Sequence, residues 1–100
     1  MALDTHPFDA ARYIETAEDA VVFLRDAMEE GDPAAIAQAL GTIARARGMT
    51  DVAKAAGLGR EGLYKALSPG GNPGFATIMK VMQALDLKLS VVPAGHSAEP

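Results

Sequence analysis

Apolar residues recur at three- and four-residue intervals through most of this chain, and the rhythm breaks at glycine and proline. Ala17, Ala20, Val21, Leu24, Ala27 and Met28 form one stripe, the spacing that gathers side chains on a single helix face. Thr16 followed by Asp19 reads as a capping box that opens this helix, and Gly31 closes it. Asp32 before Pro33 is a second start: an N-cap, then a residue whose missing amide is not needed in the first helical position. Ile36, Leu40 and Ile43 carry that stripe to Gly48, with Arg45 and Arg47 in the last turn, where cations suit the helix dipole. Thr50 is positioned to cap a short third helix bearing Val52, Ala53 and Ala56 and ending at Gly57, and a fourth helix runs from about Gly59 to Leu67. Residues 68–74 hold two Pro and three Gly and read as a loop; Phe75, Ile78, Met82 and Leu85 mark a fifth helix.

The period changes once. "LKLSVV", residues 87–92, alternates Leu87, Leu89 and Val91 with Lys88, Ser90 and Val92, the two-residue repeat of a strand. The expected fold is all-α, five helices with a short C-terminal β-strand. Residues 1–15 read as an N-terminal arm, partly mobile, in which 8–14 is open between a short strand and an irregular segment; residues 16–92 are the domain and 93–100 a disordered tail.

Composition narrows the function classes. One hundred residues suffice for one domain and not two, and the absence of cysteine removes disulfides and thiolate metal sites. No secretory signal or membrane-length apolar run is present, so a cytoplasmic protein is expected. His6 and His96 fall in the expected tails, Met49, Met79 and Met82 suit a core, and no nucleophile–base pair, carboxylate pair or phosphate-cradling glycine loop stands out. A binder without metal or cofactor is expected, not an enzyme. The net charge of -4 hides a division: residues 1–41 hold two Arg against nine Asp and Glu, and residues 42–88 hold seven Lys and Arg against three acids. Partners of opposite charge are therefore conceivable for the two halves, as are two merely solvated faces.

"VAKAAGLGREGLYKAL", residues 52–67, places Gly57, Gly59 and Gly62 within six positions, although each interior glycine costs a helix about 1 kcal/mol relative to alanine. A helix-turn-helix accounts for the spacing. Ala53 is small at the crossing, Gly57 takes the left-handed turn, and Leu58, Leu63 and Leu67 face the core. Gly59, at the start of the next helix, would let backbone amides approach a phosphate, and Gly62 would lie on the inner side against a close neighbour. Arg60, Glu61, Tyr64, Lys65 and Ser68 then share the outer face.

The pieces "IARARGMT", "REGLYKAL" and "GNPGFATIMKV", within a stretch of likeness from about Phe8 to Val92, resemble the addiction module antidote proteins, a HigA-like branch of the lambda-repressor-like (XRE-type) helix-turn-helix family. The resemblance implies a type II antitoxin that binds its own promoter and neutralises a RelE/ParE-like toxin encoded beside it, with the helix starting at Gly59 as recognition helix. Asp51 stands where related domains often carry Gln, and Gly59 where Ser is common.

Docked on B-DNA, Arg60 would pair with guanine, Glu61 with cytosine N4, Lys65 with a base or phosphate, and Tyr64 with a phosphate or thymine methyl. Thr50, Lys54, Ser68 and the amides around Gly70, Gly71 and Asn72 would hold the backbone of double-stranded operator DNA. A homodimer reading two half-sites is expected, closed by pairing of residues 87–92 across its two-fold. Asp26, Glu29 and Glu30 on the first helix are the candidate surface for a basic toxin, with Asp19 nearby. Two alternatives stay open: a stand-alone phage-like repressor, and a toxin-binding module without DNA binding.

Overall fold

The helix starts and stops written in the sequence are nearly all used. The structure, a computed structural model, describes residues 9–95; His6, His96, the first eight residues and the last five lie outside them. After a 3-10 helix at Ala10–Tyr13 come α1 (Ala17–Glu30), α2 (Pro33–Arg47), α3 (Met49–Ala56), α4 (Arg60–Leu67) and α5 (Phe75–Ala84). The segment left open between strand and irregular structure is thus partly helical, with the Asp9 carboxylate accepting from the Ala11 amide at 3.1 Å to cap it.

At the start of α1 the capping box is complete. Thr16 Oγ1 accepts from the Asp19 amide, and Asp19 Oδ2 accepts from the Thr16 amide, each at 3.1 Å. The Glu15 amide donates to the same carboxylate at 3.0 Å, and these amides, Glu15's first and Thr16's next, hold the Asp19 carboxyl below its ordinary value of 3.8. Gly31 ends the helix in the left-handed conformation, and Asp32 caps α2 through the Ala34 amide at 3.1 Å. A carboxyl whose pKa is lowered by folding adds stability above its unfolded-state value and loses it as pH falls through the folded one. Thr16→Ala is therefore expected to cost about 1 kcal/mol at neutral pH. The gap in urea midpoint between wild type and Asp19→Ala should be constant at neutral pH and close as pH falls below 3.8.

Helix α2 lies at the centre. Leu40, Ile43 and Ala44 are at most 2% exposed, and α1, α3, α4 and the 3-10 helix all pack on α2, while α5 closes the core against α3. Leu24, Val52, Leu63, Leu67, Val81, Met82 and Leu85 complete the interior. Gly41 is where α2 meets α4: a Cβ there would stand 3.0 Å from the Leu67 carbonyl oxygen, so the crossing distance requires its absence. Arg47 donates to the Leu85 carbonyl at 3.0 Å, which ties the end of α2 to the end of α5.

Four expectations are corrected. No strand occurs among the described residues. Residues 87–92 keep the two-residue alternation, with Leu87 and Leu89 half-buried and Lys88 and Ser90 exposed, but no second strand lies beside them to complete a ladder. Thr50 does not cap α3, which begins at Met49 after Gly48; with φ 114° at Gly48 the turn is made by backbone, and buried Met49 draws the helix start one residue earlier. Phe75 is 71% exposed and Val21 39%, because α5 begins beyond the core and the inner face of α1 is set by Ala20 and Leu24. Gly62 lies outside: a Cβ at that position would meet nothing within 4 Å.

Candidate nucleic-acid interface

The turn between α3 and α4 is built by backbone hydrogen bonds that only a left-handed residue can complete. Gly57, at φ 73°, donates its amide to the Lys54 carbonyl at 3.1 Å, and the Leu58 amide donates to the Ala53 carbonyl at 2.9 Å. These two bonds define a Schellman closure, and Leu58, half-buried against the core, supplies its usual apolar contact. The chain then turns once more, and Gly59, with φ -71° and ψ 144°, is the N-cap of α4. No side chain caps this end, and a Cβ on Gly59 would meet nothing within 4 Å. The leading amides of α4 are therefore left for an outside acceptor.

Leu63 and Leu67 anchor α4, at 1% and 3% exposed. Their spacing fixes the helix rotation and leaves Arg60, Glu61, Tyr64 and Lys65 exposed on the other side. Tyr64 is 59% exposed, so its ring is not packed beneath the neighbouring helix. Thr50 and Lys54, four residues apart on α3, are both exposed, and Asp51 is exposed beside Thr50.

Two of the expected backbone-gripping groups are occupied within the fold. Ser68 is half-buried, and its hydroxyl donates to the Lys65 carbonyl at 2.9 Å, which finishes α4 rather than offering a proton to phosphate. The Gly71 amide donates to the Ser68 carbonyl at 2.9 Å, and a Cβ on Gly71 would run into the Lys65 and Ala66 carbonyls. Lys65 and Gly62 nevertheless border a concavity of about 470 Å³ against residues 68–72, which joins the outer face of α4 to this loop.

Sequence reasoning passed over a cleft between α2 and this face of α4. A cleft of about 200 Å³ beside Tyr64 and Ser68 is lined by Gln38, Thr42 and Arg45. Their spacing along α2, opposite Leu40 and Ile43, was the available signal. Arg45 is not wholly free there, since it pairs with Asp9 at 3.1 Å, and both side chains are about half exposed.

Neither turn nor packing explains Gly62. It lies inside α4, exposed, on a helical backbone any residue accepts. Gly62→Ala is expected to raise stability by about 0.5 to 1 kcal/mol, read as a higher urea midpoint. If a duplex approaches α4 at that point, the same variant binds it less tightly.

The acidic candidates are elsewhere. Asp26, Glu29 and Glu30 are exposed on α1, and none is ion-paired with a described residue. Asp26 borders a shallow groove of about 370 Å³ with Tyr13, Val22 and Phe23. Among the described residues no three His, Asp or Glu are placed to hold a metal ion, and no helix is long and apolar enough to cross a membrane.

Residues 4–93 match the family model described as probable addiction module antidote protein. The chain is also 50% identical over 84 residues to an uncharacterized protein of Haemophilus influenzae, an alignment that covers 84% of this chain and 87% of the relative. No solved structure matches.

Proposed function

The chain belongs to the probable addiction module antidote protein family, which gives it a role in a toxin–antitoxin system, and from that premise we propose that it binds its own promoter through α4 and neutralises a RelE/ParE-like toxin by binding rather than by catalysis. The observation that carries the DNA half is the uncovered outer face of α4, with Arg60, Glu61, Tyr64 and Lys65 held outward by two buried leucines. Arg60, in the first turn, is suited to a bidentate bond with guanine O6 and N7; Lys65, near the concavity at the α4–α5 loop, is suited to a phosphate or a base. A lone domain makes few such contacts, so a homodimer reading half-sites about 34 Å apart is the working form.

The toxin is assigned to the acidic face of α1. A basic protein is steered to unpaired carboxylates, and Asp26, Glu29 and Glu30 are exposed and unpaired among the described residues. Replacing Glu29 and Glu30 together by lysine is expected to slow association with the toxin roughly tenfold or more at low salt, and to flatten the salt dependence of the rate in stopped-flow measurements.

A second reading, toxin binding without DNA binding, is favoured by exposed Asp51 on α3 and by the occupied Ser68 hydroxyl and Gly71 amide. The deciding experiment is a gel-shift titration on the chain's own upstream region, run beside co-expression with the protein encoded next to it. A shift together with rescue of growth supports the promoter-binding antitoxin. Rescue without a shift supports the second reading, and a shift without any toxin to neutralise leaves a stand-alone repressor.

A further inference from the structure

Arg45 is drawn two ways. Its guanidinium donates to Asp9 Oδ1 at 3.1 Å, and it also lines the cleft of about 200 Å³ between α2 and the outer face of α4. Gln38 and Thr42 line the cleft from the same helix, and Tyr64 lines it from α4. The Thr42 hydroxyl donates to the Gln38 carbonyl at 3.1 Å and the Ser68 hydroxyl to the Lys65 carbonyl, so neither has a proton left for a ligand. The Gln38 carboxamide and the Tyr64 hydroxyl make no hydrogen bond with any described residue. Among the described residues no Asp or Glu lines the cleft. A cationic fork with two neutral donors and no carboxylate suits an oxyanion. Asp9 already acts as one. The Ala11 amide and then Arg45 hold its carboxyl below the ordinary value of 3.8, so it is charged at neutral pH. The pair is nevertheless open to solvent, with the side chains 45% and 48% exposed, and such pairs exchange at little cost.

We propose that this cleft takes a backbone phosphate of the duplex that α4 reads, anchored by Arg45, and that Asp9 competes with the phosphate for Arg45. The segment before α1 then sets how tightly the chain holds DNA of any sequence. The proposal rests on the promoter reading and deepens it. Half or more of the hydrogen bonds from a protein to DNA go to phosphate and sugar, and the fold has already used the Ser68 hydroxyl and the Gly71 amide. The grip has to come from another element. Arg45 offers a planar fork that fits a phosphate as it fits a carboxylate, and the Gln38 carboxamide and Tyr64 hydroxyl add donors beside it. Two anions on one guanidinium repel each other, so a phosphate that enters displaces Asp9.

The test is a double-variant cycle read by fluorescence anisotropy on two duplexes, the chain's own upstream region and an unrelated sequence of equal length. Arg45→Ala should bind both roughly tenfold more weakly and lower the salt slope by about 1. Arg45→Lys, which keeps the charge, should restore the slope. Asp9→Asn retains an oxygen to cap the Ala11 amide and loses the charge. It should bind both duplexes roughly two- to fivefold more tightly, and in the Arg45→Ala background it should change nothing. Arg45→Ala that binds as tightly as the wild type, or that weakens only the upstream region, overturns the proposal. So does Asp9→Asn that leaves affinity unchanged, or that tightens binding equally without Arg45, since the effect is then one of net charge. A wild type that binds neither duplex removes the promoter reading and this inference with it, whereas a wild type that binds and is indifferent to Arg45→Ala removes this inference alone.

Discussion

Arg60→Ala combined with Lys65→Ala is expected to abolish a specific gel shift at protein concentrations that saturate the wild type. Each lost base contact costs about 1 to 3 kcal/mol, so the pair together weakens binding by roughly thirtyfold to ten-thousandfold. Both side chains are exposed and neither bears on the core, so the helical content and melting temperature should not change. The single variants separate the roles. Loss of a base contact relaxes sequence preference at one position and leaves the salt slope alone; loss of a phosphate contact weakens binding to all sequences and lowers that slope by about 1. If the double variant binds the upstream region as tightly as the wild type, α4 is not the reading element.

Leu40→Ala should produce the largest loss of stability. Leu40 is fully buried at the centre of α2, where α1, α3 and α4 converge, and truncation leaves a cavity the rigid surroundings cannot fill. The cost is about 2 to 5 kcal/mol, which for a domain of this size lowers the melting temperature by at least about 8 °C. Thermal melts followed by circular dichroism measure it directly. A change below about 1 kcal/mol would mean that α2 is not the axis of the core. The same variant at permissive temperature should retain DNA binding, which distinguishes it from the Arg60 and Lys65 changes.

The glycines show how a single residue type can be legible at one position and opaque at another. Gly57 could be read from the sequence because its reason is local: a helix that must stop and turn needs a left-handed residue, and four flanking positions announce it. Gly62 was assigned a packing role that it does not have, because which side of α4 faces inward depends on where Leu63 and Leu67 find their pockets. Gly41 and Gly71 do have close neighbours: Leu67, which no residue near Gly41 in the chain records, in one case, and the Lys65 and Ala66 carbonyls, against which the loop folds back, in the other.

The same division runs through the candidate site. Arg60, Glu61, Tyr64 and Lys65 were placed together by helical spacing alone, and the fold exposes all four. Helical spacing puts Ser68 with them, and the Gly71 amide is expected to hold the DNA backbone, but the turn after α4 uses the hydrogen-bonding groups of both. Gln38 and Thr42 were missed because their nearness to Tyr64 is created by the α2–α4 crossing.

The order of the five helices, the caps of α1 and α2, the Gly57 turn and the outward set on α4 were thus determined by the sequence itself, because helical period and capping act over three to five residues. Which apolar positions are covered was decided only by tertiary packing: Phe75 was left outside, Gly41 was pressed against Leu67, and residues 87–92 were left, among the described residues, without a strand to pair with. Burial and strand pairing depend on what another part of the chain brings alongside, and no local pattern records that.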